Sequence, residues 1–325
     1  MATRTESSTE TPVRLEAGGP LGKRIYSFLR AIPTWILWIL VVVWSVPSVG
    51  LFVNSFRTRD AQQASPFWAI GTDSANGLGA PSLTNYDEVL FGGNPLFDNL
   101  LNSLAIVIPA TIIPIAFAAF AAYAFAWIEF KGREWTFIIT VSLLAIPLQT
   151  SLIPLLRLYS TGGQWTIPFF DKTMRLFPDF DLSGTVTAVW LTHTGFALPF
   201  AIFLLHNYIS GLPKDVFESA FIDGADHFKI FWKLVLPLST PVLAAFTIFQ
   251  FLWTWNDYLI ALTMIGSGTD ALPITVALAS IAGEFGQREH LLRAAAFIST
   301  ALPLVVFFAL QRYFVRGVLA GSVKG

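Results

Sequence analysis

Residues 210–241 read SGLPKDVFESAFIDGADHFKIFWKLVLPLSTP, a charge-bearing stretch set between two long apolar runs. Pro213 fixes the backbone angle of a first helical turn, and Asp215 and Glu218 near that end complement the positive pole of the helix dipole. A short helix is predicted to about Ile222. Gly224 can take the left-handed conformation that ends a helix, and the Asp226 side chain can cap a second one. In that second helix Phe228, Phe231, Trp232 and Val235 fall at i, i+3, i+4 and i+7, one apolar stripe, before Pro237 and Pro241. The reading is helix, turn, helix, lying along the surface into which the flanking apolar runs are sunk.

Those runs decide the fold class. Between consecutive charges lie 26 residues after Arg30, 30 after Asp98, 22 after Glu134, 32 after Asp181, 23 after Lys233 and 18 after Arg293. A helix of roughly 20 residues crosses a hydrocarbon core of about 30 Å. The chain is therefore predicted to be an all-α membrane protein with spans near 32–55, 101–127, 136–156, 184–207, 238–262 and 292–312, and with 210–237 as a connecting loop. Pro109, Pro114 and Pro199 lie inside spans, where neighbouring helices can satisfy the carbonyls they free.

Composition agrees. Of 325 residues 54% are hydrophobic and only 13% charged, with a mean hydropathy of +0.62. Thirteen of the 20 Lys and Arg residues fall on the side of the chain termini, which predicts that both termini are cytoplasmic. A net charge of −1 gives no field for nucleic acid, and the absence of cysteine excludes disulfides and thiolate chemistry. Residues 1–30 read as a polar cytoplasmic tail, with no cleavage signal after the first apolar run, and 57–98 as an irregular outer connection rich in Gly, Ser, Asn and Pro.

Glu218, Ser219, Ala220, then Asp223, Gly224, Ala225, and after the aromatic stripe Leu236, Pro237 and Pro241, closely resemble the EAA loop of the membrane subunits of binding-protein-dependent ABC importers. Further segments match in order: NYDEVL (85–90), NSL (102–104), AAYAFAWIEFKGR (121–133), IPLQTSLIPL (146–155), QFLWTWNDYL (250–259) and QRYFVRGVLAGSVKG (311–325). The chain is similar to carbohydrate permeases of the maltose type, with a permease domain over 31–325. It departs from the family pattern at Ser219, where Ala is usual, and at Phe221.

The resemblance implies a multi-pass subunit of a bacterial or archaeal cytoplasmic membrane that passes a sugar or oligosaccharide. Its implied partners are a second permease subunit in a heterodimer, a cytoplasmic ATPase dimer and an extracytoplasmic binding protein. Glu218, Ser219, Ala220, Asp223, Gly224, Ala225, Phe228 and Phe231 would couple to the ATPase, and the tail Gly321, Ser322, Val323, Lys324 and Gly325 would reach it. Gly283, Glu284, Phe285, Gly286 and Gln287 would meet the binding protein. Asn256 and Asp257, with Trp253 and Trp255, are polar and aromatic groups near bilayer depth, suited either to the sugar path or to bonding between helices.

No Gly-x-x-x-x-Gly-Lys-Ser/Thr loop and no metal-ligand constellation occurs in the sequence, so no catalytic residue, cofactor or metal is assigned to this chain; ATP and Mg belong on the ATPase. An ion-coupled secondary transporter would be expected to show internal repeats and intramembrane charge relays, and a membrane enzyme a cluster of His, Asp or Ser. A polyol, glycerol phosphate or another solute remains the alternative cargo.

Overall fold

In a bilayer every backbone polar group must find its partner inside the protein, and a helix does this within one segment. The structure, a computed structural model, describes residues 33–69, 81–93, 95–167, 172–266, 270–282 and 288–322. The chain divides into two units, residues 1–51 and 52–325. Most of α1 (Thr34–Ser55) belongs to the first, and its Trp35, Trp38 and Trp44 are exposed, as suits a helix surrounded by lipid.

The second unit runs through α2 (Arg59–Ala64), α3 (Thr84–Phe91), α4 (Leu96–Trp127), α5 (Arg133–Ser142) and α6 (Leu148–Thr161), then an antiparallel hairpin of β1 (Gln164–Ile167) and β2 (Lys172–Arg175). After α7 (Val186–Ile209) come α8 (Lys214–Ile222) and α9 (His227–Ile230), which continues as a π-helical turn over Phe231–Val235. The remaining helices are α10 (Thr240–Trp255), α11 (Leu259–Ile265), α12 (Ile274–Ala282) and α13 (Glu289–Ser322).

Four described helices, α1, α4, α7 and the Glu289–Arg312 part of α13, are long and apolar enough to cross a membrane; counting two bent pairs as spans raises the number to six. The span expected at 136–156 is bent sharply within its length. Arg133–Ala145 and Leu148–Thr161 meet at 103°. The cause is local, since Ile146 precedes Pro147 and is driven to an extended ψ of 117°. The fifth expected span also differs: α10 stops at Trp255, and α11 resumes at Leu259.

The centre of the unit is the α4–α7 pair. Ala118 and Ala122 on α4, and Ala197 and Ala201 on α7, repeat at i, i+4 and are all at most 3% exposed. Small residues at that spacing let two backbones approach where no hydrophobic drive operates between helices in lipid. Two of the prolines inside spans also find their answer in α10. Pro114 leaves the Ala110 carbonyl without its helical donor, and Gln250 Nε2 donates to it at 3.0 Å. Pro303 does the same to Ser299, whose carbonyl accepts from Trp255 Nε1 at 3.0 Å.

Of the 57–98 connection, residues 57–69, 81–93 and 95–98 are described and include short helices, while most of the Gly- and Ser-rich run at 71–82 lies outside the described residues. Arg57, 1% exposed, organises the described part. Its guanidinium donates to Asn54 Oδ1 (2.9 Å), to the carbonyls of Ala61 (2.6 Å) and Ser65 (3.1 Å), and to Ser65 Oγ (2.5 Å). Asn85 Nδ2 on α3 then donates to the carbonyls of Ser55 (2.9 Å) and Arg57 (2.8 Å). Burial lowers the Arg57 pKa from its ordinary value, and the ring of acceptors offsets that desolvation.

Candidate docking elbow and membrane site

The 210–241 stretch folds as its residues require. Pro213, with φ −60°, stands just before α8, and Asp215 occupies its first turn. The helix ends in a Schellman arrangement: Gly224 N–H donates to the Phe221 carbonyl and Ala225 N–H to the Ala220 carbonyl, both at 3.0 Å. Gly224 takes φ +76°, the left-handed region that glycine enters without steric cost. Asp226 Oδ1 then accepts from Lys229 N at 2.7 Å and starts α9. The elbow closes with a 71° bend between His227–Leu238 and Thr240–Trp255.

Its underside is fixed to the end of α4. Phe217, fully buried, stacks on Trp127 with ring centroids 3.9 Å apart and planes 10° apart. Trp127 Nε1 donates to the Ile209 carbonyl (3.3 Å), tying α7 to the same corner. Tyr123 Oη and His227 Nδ1 share a hydrogen bond of 2.9 Å, and Phe120 stacks on Phe231 at 4.3 Å. Aromatic pairs of this kind contribute about 0.5–1.5 kcal/mol each beyond the area they bury. The elbow is thus a rigid extension of α4, α7 and α10.

The single stripe expected across Phe228, Phe231, Trp232 and Val235 is a further correction. Phe231 and Val235 are buried, whereas Phe228 is 68% and Trp232 50% exposed. The π turn over Phe231–Val235 adds a residue to the helical repeat, so an α-helical projection no longer holds. Of the two aromatic residues predicted for coupling, Phe228 lies on the open surface and Phe231 in the core.

The open surface also carries Glu218, Ser219, Asp223 and Gly224, with Ala220 and Ala225 half-buried and Ile222 85% exposed. Ser219 Oγ turns back to its own helix, donating to the Asp215 carbonyl at 2.7 Å, so its outer face is that of a small residue. Glu218 has no hydrogen bond or ion pair among the described residues, which leaves its carboxylate available to a partner.

Asp257 is explained by the backbone. Its two oxygens accept from Ile260 N (3.3 Å) and Ala261 N (3.0 Å), capping α11, and His193 Nε2 stands 3.5 Å from Oδ2. Trp253 meets the fully buried His193 ring edge-on at 5.0 Å. Trp255 is the donor to Ser299, while Asn256, exposed, donates back to the Leu252 carbonyl (2.8 Å). Three of these four groups bind helices together or line the packing between them. Gly283–Gln287 and Val323–Gly325 lie outside the described residues; Gly321 and Ser322 form the end of α13.

Comparison with known proteins gives this arrangement a family. Residues 115–320, which include the elbow, α4's C-terminal half and nearly all of α13, match the family described as "Binding-protein-dependent transport system inner membrane component". The chain belongs to this family. As such an inner-membrane component it is a non-catalytic, multi-pass translocation subunit of a binding-protein-dependent importer. It is 48% identical over 285 residues to the osmoprotective compounds uptake permease protein GgtD of Synechocystis sp., covering 88% of this chain and 89% of that one. It is 51% identical over 244 residues to the alpha-glucoside transport system permease protein AglG of Rhizobium meliloti, 75% of this chain and 60% of that one. Its fold is similar to a chain of a bacterial ABC transporter involved in the import of the acidic polysaccharide alginate. The TM-score is 0.66 at 19% identity, over 90% of this chain and 97% of that one.

For this inner-membrane component, sequence reasoning missed the aromatic clamp under the elbow. The signal was present in FAAYAFAW (120–127), where Phe120, Tyr123 and Trp127 repeat at i, i+3 and i+7 on α4 and so share one face. Its partners lie about a hundred residues further on, a pairing that no local period displays.

Proposed function

We propose that this chain is the membrane translocation subunit of an ATP-driven importer for an uncharged carbohydrate, with the elbow at Lys214–Leu238 docked on a separate cytoplasmic ATPase. The observation that carries the reading is the two-faced elbow. Its inner face is stacked onto α4 through Phe217 and Phe231, and its outer face offers Glu218, Gly224, Ile222 and Phe228, exposed among the described residues. A helix held this way transmits a push as a rigid-body movement rather than absorbing it. ATP and Mg would be held by the ATPase, and a second permease subunit would complete the pathway. The elbow and both termini would then face the cytoplasm, as the distribution of Lys and Arg favours.

The cargo class is supported by the names of relatives that handle alpha-glucosides, arabinooligosaccharides and melibiose, raffinose and stachyose. The osmoprotective-compound relative keeps a small osmolyte, such as a polyol, as the second reading.

Gly224→Asp tests the docking. No atom lies within 4 Å of a Cβ built at Gly224, so the side chain fits the fold and projects from the docking face. The left-handed backbone costs about 1–2 kcal/mol for a residue with a Cβ. The variant is expected to insert and assemble while uptake is lost and ATP hydrolysis continues. Undiminished uptake contradicts the docking role.

A further inference from the structure

We propose that the outer end of the bundle holds a transit site for an uncharged polyhydroxylated solute, a vestibule between the start of α4, residues 270–272, α12 and Arg288. The inference rests on the importer reading above and names the place where cargo first meets this subunit. The cavity measures about 730 Å³, within the roughly 300–1,000 Å³ of small-molecule sites. Its polar lining comprises Asp98, Asn99, Asn102, Asp270, Ser280 and Arg288.

The walls are built rather than accidental. Asn99 Nδ2 donates to the Leu272 carbonyl at 2.7 Å, and Asn102 Nδ2 to the carbonyls of Asp270 (2.7 Å) and Leu272 (3.2 Å). Beneath them Ser103 Oγ accepts from Ile274 N at 2.8 Å, fixing α12 against α4. With both amide nitrogens engaged, the side-chain oxygens of Asn99 and Asn102 remain as acceptors. The Asp98 and Asp270 carboxylates and the Arg288 guanidinium make no ion pair among the described residues. The cavity therefore offers several acceptors, among them the Ser280 oxygen, whose proton goes to the Ala277 carbonyl (2.6 Å), and one forked donor.

Sugar hydroxyls both donate and accept, and vicinal pairs of them match planar carboxylate, amide and guanidinium groups. Two carboxylates against one guanidinium disfavour an anion, so glycerol phosphate fits this lining less well than a neutral glycoside. Asp98, Asp270 and Arg288 are exposed, which keeps the site wet and its grip weak. Weak holding suits transit, because a solute must leave as readily as it arrives.

The test uses the full assembly, with partner subunits and binding protein, in proteoliposomes supplied with radiolabelled sucrose, maltose or trehalose. Asp98→Asn with Asp270→Asn, and separately Arg288→Gln, keep size while removing charge. Each loses charged hydrogen bonds to hydroxyls, and sugar taken up per ATP hydrolysed is expected to fall about tenfold. An unchanged ratio overturns the vestibule. So does an equal fall in uptake and in binding-protein-stimulated ATP hydrolysis, which would make this surface a docking face for the binding protein. A wild-type assembly that carries none of the three sugars overturns the cargo reading and the vestibule together, whereas a competent wild type with unaffected variants overturns the vestibule alone.

Discussion

Replacing Gln250 by Leu gives the sharpest test of how this bundle tolerates its prolines. Gln250 is fully buried on α10 and donates to the Ala110 carbonyl that Pro114 deprives of a helical partner. Leu fills similar volume, so the change removes chiefly that bond and a longer one to Thr254 Oγ1 (3.3 Å) on the same helix. An orphaned buried carbonyl costs about 1–3 kcal/mol in water-soluble proteins, and interhelical hydrogen bonds in membranes average about 0.6 with a maximum near 1.7 kcal/mol. Gln250 Oε1 has no partner of its own, and removing it returns part of that loss. The expected cost is therefore about 1 kcal/mol. In a Pro114→Ala background the backbone N–H restored at that position can serve the Ala110 carbonyl, and the cost of Gln250→Leu should fall by the share due to that carbonyl. Unfolding of the purified chain in mixed micelles with increasing SDS, followed by tryptophan fluorescence, measures both steps of the double-mutant cycle. An equal destabilisation in the two backgrounds refutes the pairing of Gln250 with the proline-freed carbonyl.

Other consequences are direct. Phe217→Ala removes a fully buried ring from the Trp127 stack, and buried Phe→Ala changes cost about 3–5 kcal/mol. The elbow should loosen, so uptake by the assembly is expected to fall further than its ATP hydrolysis; full uptake would show that the clamp transmits nothing. Arg57→Leu strips the donors from Asn54, Ala61 and Ser65 and should cost about 2 kcal/mol or more. Trypsin should then cleave after Arg59 faster than in the native chain, and an unaltered cleavage rate would contradict the organising role.

Much of this was legible in the residues, and the exceptions share a physical form. Pro213, Gly224 and Asp226 announced the elbow because capping and left-handed turns are local and carry few alternatives. The apolar runs announced the membrane for the same reason. What stayed hidden depends on distant partners: the Trp127–Phe217 stack, the Arg57 network and the service of Gln250 and Trp255 to prolines on other helices. The third span looked continuous because its composition is, yet one Ile146–Pro147 step turns it by 103°. The aromatic stripe failed through a change of helical pitch, which composition does not signal. At the intramembrane anomaly, the Asp257 carboxylate accepts backbone N–H bonds at the start of α11.

The docking of the elbow can be measured with a thiol, because the chain contains no cysteine and Ile222 is 85% exposed at the tip of α8. Ile222→Cys gives a single reactive site, and a maleimide reports its accessibility in the purified chain and in the assembly with its ATPase. The account predicts rapid labelling in the chain alone and strong protection once the ATPase is bound. Equal labelling in both would contradict it.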